Sequence, residues 1–254
     1  MNLSEEQIQR YARHILLKEV GGEGQAKLLN AKVLVVGAGG LGSPLILYLA
    51  AAGVGTIGVV DHDVVELSNL QRQILHTNSR LKVPKVQSAV IAIEDINPDV
   101  TVIPHQHKLT EENAVELISS YDLVADGCDN FATRFIVNDA CYAAKRTLVS
   151  AAVLRFDGQL ATFRPHEGGP CYRCLFPTPP PTGEVPTCAE AGILGAVAGT
   201  MGALQATEIL KEILGIGRSM AGRLTIYDAL EGIIRTVKVS PDPACALCSP
   251  DPVF

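Results

Sequence analysis

The chain has little positive charge to spare. Its 21 Lys and Arg residues are outnumbered by 27 Asp and Glu, which leaves a net charge of −6. That argues against a nucleic-acid binder, because phosphate recognition calls for a basic surface. Apolar runs long enough to span a membrane are missing as well. The most membrane-like stretch, Ala189 to Leu214, is broken by Glu190, Gln205, Glu208, Lys211 and Glu212, so it reads as a helix buried in protein rather than a membrane span. A secretory leader would open basic and then apolar, whereas Met1-Asn2-Leu3-Ser4-Glu5-Glu6 is polar and acidic. The expected location is therefore the cytoplasm, with reduced thiols. Internal repeats are absent too. With 47% apolar and 19% charged residues, the composition is that of a globular chain, and 254 residues suffice for one large domain.

What is present begins with cysteine. Seven thiols in a reducing compartment point to metal or catalysis before disulfides. Four of them form two pairs, Cys171-Tyr172-Arg173-Cys174 and Cys245-Ala246-Leu247-Cys248. Each pair offers two soft sulfur ligands from one tight turn, and a tetrahedral zinc ion needs four. Four thiolates leave no open position on the metal, so such a zinc is structural and the chemistry lies elsewhere.

The pattern along the chain is that of alternating elements. Ser4 can cap a first helix with Gln7 closing a capping box. That helix carries Arg10 and Arg13 on one face and ends at Gly21, Gly22 and Gly24. The run Lys32 to Val36 reads as a buried strand, Ser43 to Ala52 as helix and Thr56 to Val60 as a second strand. Helix, strand, helix and strand follow at Pro84–Ile96, Val100–Pro104, Glu111–Ser119 and Asp122–Ala125. Such alternation predicts a Rossmann-like, doubly wound α/β fold with a parallel sheet covered on both faces. After Val149 the pattern changes, and Gly158–Phe163 and Arg223–Tyr227 read as antiparallel strands. Between them, Pro177 to Gly183 is too proline-rich for regular structure. The expectation is a single unit spanning 1–254, with a helical segment to residue 30, a nucleotide-binding half at 31–150 and an antiparallel extension with the zinc site at 151–254.

Gly37-Ala38-Gly39-Gly40-Leu41-Gly42 sits between the first strand and its helix. Gly37 and Gly39 permit a tight turn and close approach of backbone to phosphate, and Gly42 lets helix and strand pack closely. The helix amino terminus adds partial positive charge. Asp61 ends the next strand, where a carboxylate commonly holds ribose hydroxyls. Together these predict an adenine nucleotide. An NAD-dependent oxidoreductase would share the glycine loop and Asp61. It would leave Arg13, Arg72, Lys85 and Asp129 unexplained, and no His–Asp or Tyr–Lys catalytic pair is evident. Several cations suit a triphosphate whose leaving pyrophosphate must be stabilised.

Taken in order, Arg10-Tyr11-Ala12-Arg13, the glycine loop, Asp61-His62-Asp63, Ser68-Asn69-Leu70-Gln71-Arg72-Gln73, Pro84-Lys85, Asp126-Gly127-Cys128-Asp129-Asn130 and both cysteine pairs resemble the MoeB/ThiF/HesA family, the bacterial relatives of ubiquitin-activating enzymes. The cysteine segments are most similar to the MoeB branch. The resemblance covers nearly the whole chain and implies ATP-dependent adenylation of the C-terminal glycine of a ubiquitin-like sulfur carrier ending in Gly-Gly. By motif position it implies that Gly40 approaches the phosphates. It also implies that Asp61, Asn69, Arg72 and Lys85 hold ribose and phosphates, with Ser68, Gln71 and Asn130 near the nucleotide. Asp129 would coordinate Mg²⁺, and Arg13 would reach the triphosphate of a second subunit in a homodimer. The implied carrier is the small subunit of molybdopterin synthase, with the thiamine-pathway carrier as the alternative.

Cys188 follows the proline-rich loop and precedes the long apolar helix, where amino-terminal charge can lower a thiol pKa. The resemblance makes it a candidate for sulfur transfer alone. Cys128 and Cys141 read as packing residues. Only Ser249 to Phe254 follow the last cysteine pair, so sulfur is expected from a separate donor, a cysteine desulfurase or a rhodanese-like protein.

Overall fold

Four of the five residues in Lys32–Val36 (β1) are buried, as expected for a central strand covered on both faces. In the computed structural model, which describes residues 3–181, 184 and 188–250 and leaves the side chains of 188 and 189 undescribed, three helices precede it. They are Glu5–Arg10 (α1), Ala12–Ile15 (α2) and Gly21–Asn30 (α3). Then come Gly42–Ala52 (α4), Thr56–Val60 (β2), Lys85–Ile96 (α5), Thr101–His105 (β3), Glu111–Ser119 (α6), Leu123–Asp126 (β4) and Phe131–Ala143 (α7). The second half contains Thr147–Leu154 (β5), Asp157–Phe163 (β6), Tyr172–Leu175 (α8), Cys188–Ala191 (α9), Gly195–Leu214 (α10), Arg223–Asp228 (β7) and Ile233–Lys238 (β8).

The strands form one eight-stranded sheet in the order β3-β2-β1-β4-β5-β6-β7-β8. Pairings from β3 through β5 are parallel, and those from β5 through β8 are antiparallel. Alternation along β1 divides the core, because successive side chains point to opposite faces. Val33 and Val35 join Leu45, Leu49, Val86 and Met201 on one face. Leu34 and Val36 join Ile118, Phe135 and Cys141 on the other. The helix α10 lies against α4, β5 and β6 with Val197, Met201 and Ile209 buried. It packs as a core helix, and among the described residues no helix is long and apolar enough to cross a membrane.

The capping box at α1 forms as read, with Ser4 and Gln7 exchanging hydrogen bonds. Three local expectations fail. Arg10 and Arg13 do not share one helix, because the chain breaks at Tyr11, whose ring is buried and whose hydroxyl accepts from Asn97 Nδ2 at 2.8 Å. Arg10 instead donates to Ile96 O at 2.9 Å. The glycines at 21, 22 and 24 open α3 rather than ending the first helix. A Cβ on Gly24 would lie 3.0 Å from Leu214 and 3.1 Å from Val20, so this glycine permits close packing of α3 on the end of α10. The long apolar segment is likewise interrupted: α9 stops at Ala191, Gly192 adopts φ +78°, and α10 starts at Gly195. Residues 177–181 are irregular, as the prolines require, whereas 182 and 183 fall outside the described residues.

Candidate active site and cysteine cage

Strand order reverses between β1 and β4, and in open α/β sheets the crevice beyond the carboxyl ends of strands at such a point receives ligands. A cavity of about 480 Å³ lies there. Gly37, Gly39 and Gly40 line it, together with Asp61, Arg72, Lys85, Asp129 and Asn130. Eight residues picked out from scattered stretches of sequence thus meet at one place.

The glycine loop is fixed from two sides. Gly37 adopts φ +94°, and a Cβ there would lie 3.1 Å from Gly127 O. Gly42 does not line the cavity. A Cβ on it would stand 1.9 Å from Gly37 O, so it serves the helix–loop contact. Asp61 accepts from the Ala38 amide at 2.8 Å through Oδ2 and from the Asp63 amide at 2.9 Å through Oδ1. Each oxygen retains a second lone pair, and Asp61 lines the cavity.

Two buried side chains support this wall, Lys85 from within the lining and His76 from behind it. Lys85 is 6% exposed and places Nζ 2.8 Å from Asp63 Oδ2. Burial works against the Asp63 carboxylate, but the hydrogen bond and charge of Lys85, helped by His62, outweigh it and hold its pKa below the usual value. His76 is 5% exposed, with Nε2 2.9 Å from Ala38 O and Nδ1 2.8 Å from Ser88 Oγ. A carbonyl only accepts, so the proton sits on Nε2 and Ser88 donates to Nδ1. Burial pushes the His76 pKa down, reinforced by Lys85 and Arg80 and opposed by the Ala38 bond.

Asp126 and Asp129 differ in kind. Asp126 is 1% exposed and accepts from the Cys128 amide at 3.0 Å and from Ser150 Oγ at 2.8 Å, with Arg134 Nη1 at 3.5 Å. Its carboxylate is consumed by structure. Asp129 is exposed to the cavity, and Asn130 caps α7 by accepting from the Thr133 amide at 2.9 Å.

Other expected residues stand apart. Ser68, Asn69 and Gln71 do not line the cavity. Asn69 is 9% exposed and bonds the Glu66 amide at 3.1 Å through Oδ1, closing the single turn Leu67–Asn69 that presents Arg72. Arg72 in turn donates to Ser68 O at 3.0 Å. Arg13 is exposed on α2, outside the cavity. The side chain of Cys188 lies outside the described residues, although its backbone opens α9. Sequence reasoning missed His76, Gln73, Gln159 and Tyr172, the last three of which also line the cavity. Gln73 and Tyr172 lay inside motifs quoted for their neighbours and were given no role, whereas nothing in the local pattern marks His76 or Gln159, whose surroundings come from other elements.

The four paired cysteines converge. Sγ separations are 3.9 Å for Cys171–Cys174, 3.5 Å for Cys171–Cys245 and 3.4 Å for Cys174–Cys248, and all four sulfurs lie within 4.8 Å of one another. Tetrahedral zinc bonds to sulfur at about 2.3 Å, which requires sulfurs about 3.8 Å apart, so the cage has the right size. The Asp242 amide points at Cys174 Sγ from 3.3 Å. The first turn of the cage is tied to α7 on both residues between its cysteines. The Tyr172 amide donates to Asn138 Oδ1 at 2.8 Å, and Arg173 is paired with Asp139 while its guanidinium lies 4.7 Å from the Phe135 ring centre. Cys128 and Cys141 are buried packing residues, as expected.

A glycine loop and an acidic strand end, facing a cavity at the switch point, define a Rossmann-like α/β protein with its candidate site at the carboxyl ends of the parallel strands. The chain belongs to the ThiF family, whose model matches residues 11–247. It is 49% identical to the sulfur carrier protein adenylyltransferase of Thermus thermophilus, over 99% of this chain and 94% of that protein. It is also 49% identical to the adenylyltransferase and sulfurtransferase MOCS3 of Anopheles gambiae, over 99% of this chain but 57% of that protein. The chain thus spans little more than half the length of the MOCS3 relatives. Among solved structures, Escherichia coli MccB superposes with a TM-score of 0.83 at 22% identity, covering 100% of this chain and 75% of that one. A structure of MccB with ATP gives 0.79 at 19% identity, covering 98% and 82%. At such identities the likeness establishes the fold.

Proposed function

We propose that this chain uses ATP to adenylate the C-terminal glycine carboxylate of a ubiquitin-like sulfur carrier, readying it for conversion to a thiocarboxylate. The observation that carries this reading is the single cavity in which the glycine loop, Asp61, Arg72 and Lys85 meet Asp129 and Asn130. The Thermus thermophilus relative, matched over nearly its whole length, supports the same reaction class.

In this reading the carrier carboxylate attacks the α-phosphorus, the α–β bridge breaks and pyrophosphate leaves. No protein nucleophile is needed; the chain must neutralise two anions and hold them in line. Gly39 and Gly40 bring backbone to the phosphates, Asp61 takes ribose hydroxyls, and Arg72 and Lys85 face the phosphates. Asp129 is an exposed carboxylate on the cavity wall, which fits Mg²⁺ bound jointly with phosphate oxygens. The ion would supply charge neutralisation at the triphosphate. The cysteine cage fits zinc and takes no part in the reaction. Arg13 is exposed and does not line its own cavity, consistent with service to a second copy's site, and Cys188 acts only in sulfur transfer from a separate donor. The carrier is the small subunit of molybdopterin synthase, and a cytoplasmic location follows from that role.

The test is carrier-dependent ATP–pyrophosphate exchange with each purified Gly-Gly carrier. Exchange with none of them, despite bound ATP, overturns the proposal. Cys188→Ser should leave the exchange intact. Mixing inactive Arg13→Ala and Arg72→Ala chains should restore about a quarter of wild-type activity if a dimer shares its sites, since half the dimers then hold one complete site of two. No recovery removes the shared site.

A further inference from the structure

We infer that His76 is a positioning residue for the nucleotide loop, holding the Ala38 carbonyl so that the Gly39 amide of the same peptide faces the phosphates; this rests on the ATP reading above. The peptide groups on both sides of Ala38 are gripped by side chains from different elements. Asp61, at the end of β2, takes the amide at 2.8 Å. His76, from the segment that also carries Arg72, takes the carbonyl at 2.9 Å. Its other nitrogen meets Ser88 at 2.8 Å, and Ser88 lies one turn along α5 from Lys85. One imidazole therefore links three parts of the cavity: the loop, the Arg72 segment and the Lys85 helix.

Geometry makes the role specific. The carbonyl fixed by His76 belongs to the peptide whose amide is Gly39, so a rotation of that plane would turn an N–H away from the cavity. Glycine on the far side offers no Cβ to resist such a rotation. A buried donor is therefore required where the local sequence supplies no stiffness. His76 is 5% exposed and does not line the cavity, so it acts through Ala38 and not on the nucleotide.

The experiment compares His76→Gln, His76→Asn and His76→Leu in the full chain. Gln can place its amide nitrogen near the position of Nε2 and keep the bond to Ala38. Asn is too short for Ala38 but can still meet Ser88. Titration calorimetry with Mg-ATP and exchange assays across ATP concentration are the readouts. Gln should bind ATP within about twofold of wild type, whereas Asn and Leu should raise Kd and KM for ATP roughly fivefold, the scale of one lost hydrogen bond. The KM for the carrier and kcat should change little. Equal ATP affinity in the Gln and Asn variants overturns the inference, even if both are less stable than wild type. Where Leu fails to fold, the Gln–Asn contrast still decides. A wild-type chain that does not bind Mg-ATP would instead sink the ATP reading itself, and one that binds ATP without carrier-dependent exchange would leave the His76 comparison intact in Kd.

Discussion

Arg173 lays two guanidinium nitrogens on the Asp139 carboxylate, Nε at 2.8 Å and Nη2 at 2.6 Å. One residue stands between two cage cysteines and the other sits on α7, the helix that begins just after Asp129. The cage and the acidic end of the cavity are therefore braced by one ion pair.

Removing the metal should be felt at that helix. Reduced protein is expected to release about one zinc per chain to a chelator, with a fall in melting temperature and faster amide exchange in α7. Asp139→Ala should cost about 2 kcal/mol by urea unfolding, the scale of hydrogen bonds to a charged group. Carefully reduced protein containing no metal, with an unchanged melting curve on chelation, would refute this account.

Two acids three residues apart should fail in opposite ways. Asp129→Asn is expected to leave the melting temperature within about a degree, because surface substitutions away from structural contacts are close to neutral, and to reduce adenylation at least about a hundredfold. Asp126→Asn should instead destabilise the fold by about 3 kcal/mol, since it leaves Arg134 as an uncompensated buried charge. Paired measurements of unfolding and exchange separate the two, and a stable, inactive Asp126 variant would contradict the division.

The depressed His76 pKa sets a sign for acid stability. Its unfolded pKa is 6.5 and its folded pKa is lower, so the neutral ring contributes stability that is fully present above pH 6.5. That contribution is lost as pH falls from 6.5 through the folded value, because the unfolded chain then binds the extra proton. His105, also lowered by burial, adds in the same direction. Unfolding free energy measured from pH 8 to 5 should decline, and less steeply in His76→Gln. An identical slope in both proteins would show that His76 does not titrate in this window.

Two glycines of one motif should respond differently to alanine. At Gly40 a Cβ meets Ala198 at 3.4 Å and Arg72 at 3.5 Å, ordinary contacts. Gly40→Ala should fold normally and weaken ATP binding. At Gly42 a Cβ would sit 1.9 Å from Gly37 O, so Gly42→Ala should lower stability before any affinity is measured. Thermal melts beside ATP titrations check both, and a stable Gly42→Ala variant would be the contrary result.

Much of this architecture is legible in sequence for a physical reason. The last four residues of Lys32–Val36 and of Thr56–Val60 are buried on both faces, so they carry an apolar signal whatever their neighbours are. The glycine loop and the strand-end acid could be read from their settings, whereas the roles of Arg72, Lys85, Asp129 and Asn130 came from the order of motifs that the chain shares with its family. The strand β8 escaped because all six of its residues are exposed, leaving no alternation to read. Gly21, Gly22 and Gly24 misled because glycine usually marks a helix end, and only the approach of Leu214 explains a glycine within α3. His76 escaped for the same reason: its significance lies in Ala38 and Ser88, 38 and 12 residues away.

Cys171 and Cys245 stand 74 residues apart in sequence and 3.5 Å apart at sulfur. During synthesis, at rates of about 5–20 residues per second, the first cysteine turn waits several seconds for its counterpart to emerge. The parallel half of the sheet has by then left the ribosome with β1 to β5 complete. A metal ion bound by the four cysteine sulfurs would therefore close the cage late, after every strand of the sheet has been made. Scarcity of that ion would show first as nascent protein caught with an open rim, before any shortage of catalytic turnover.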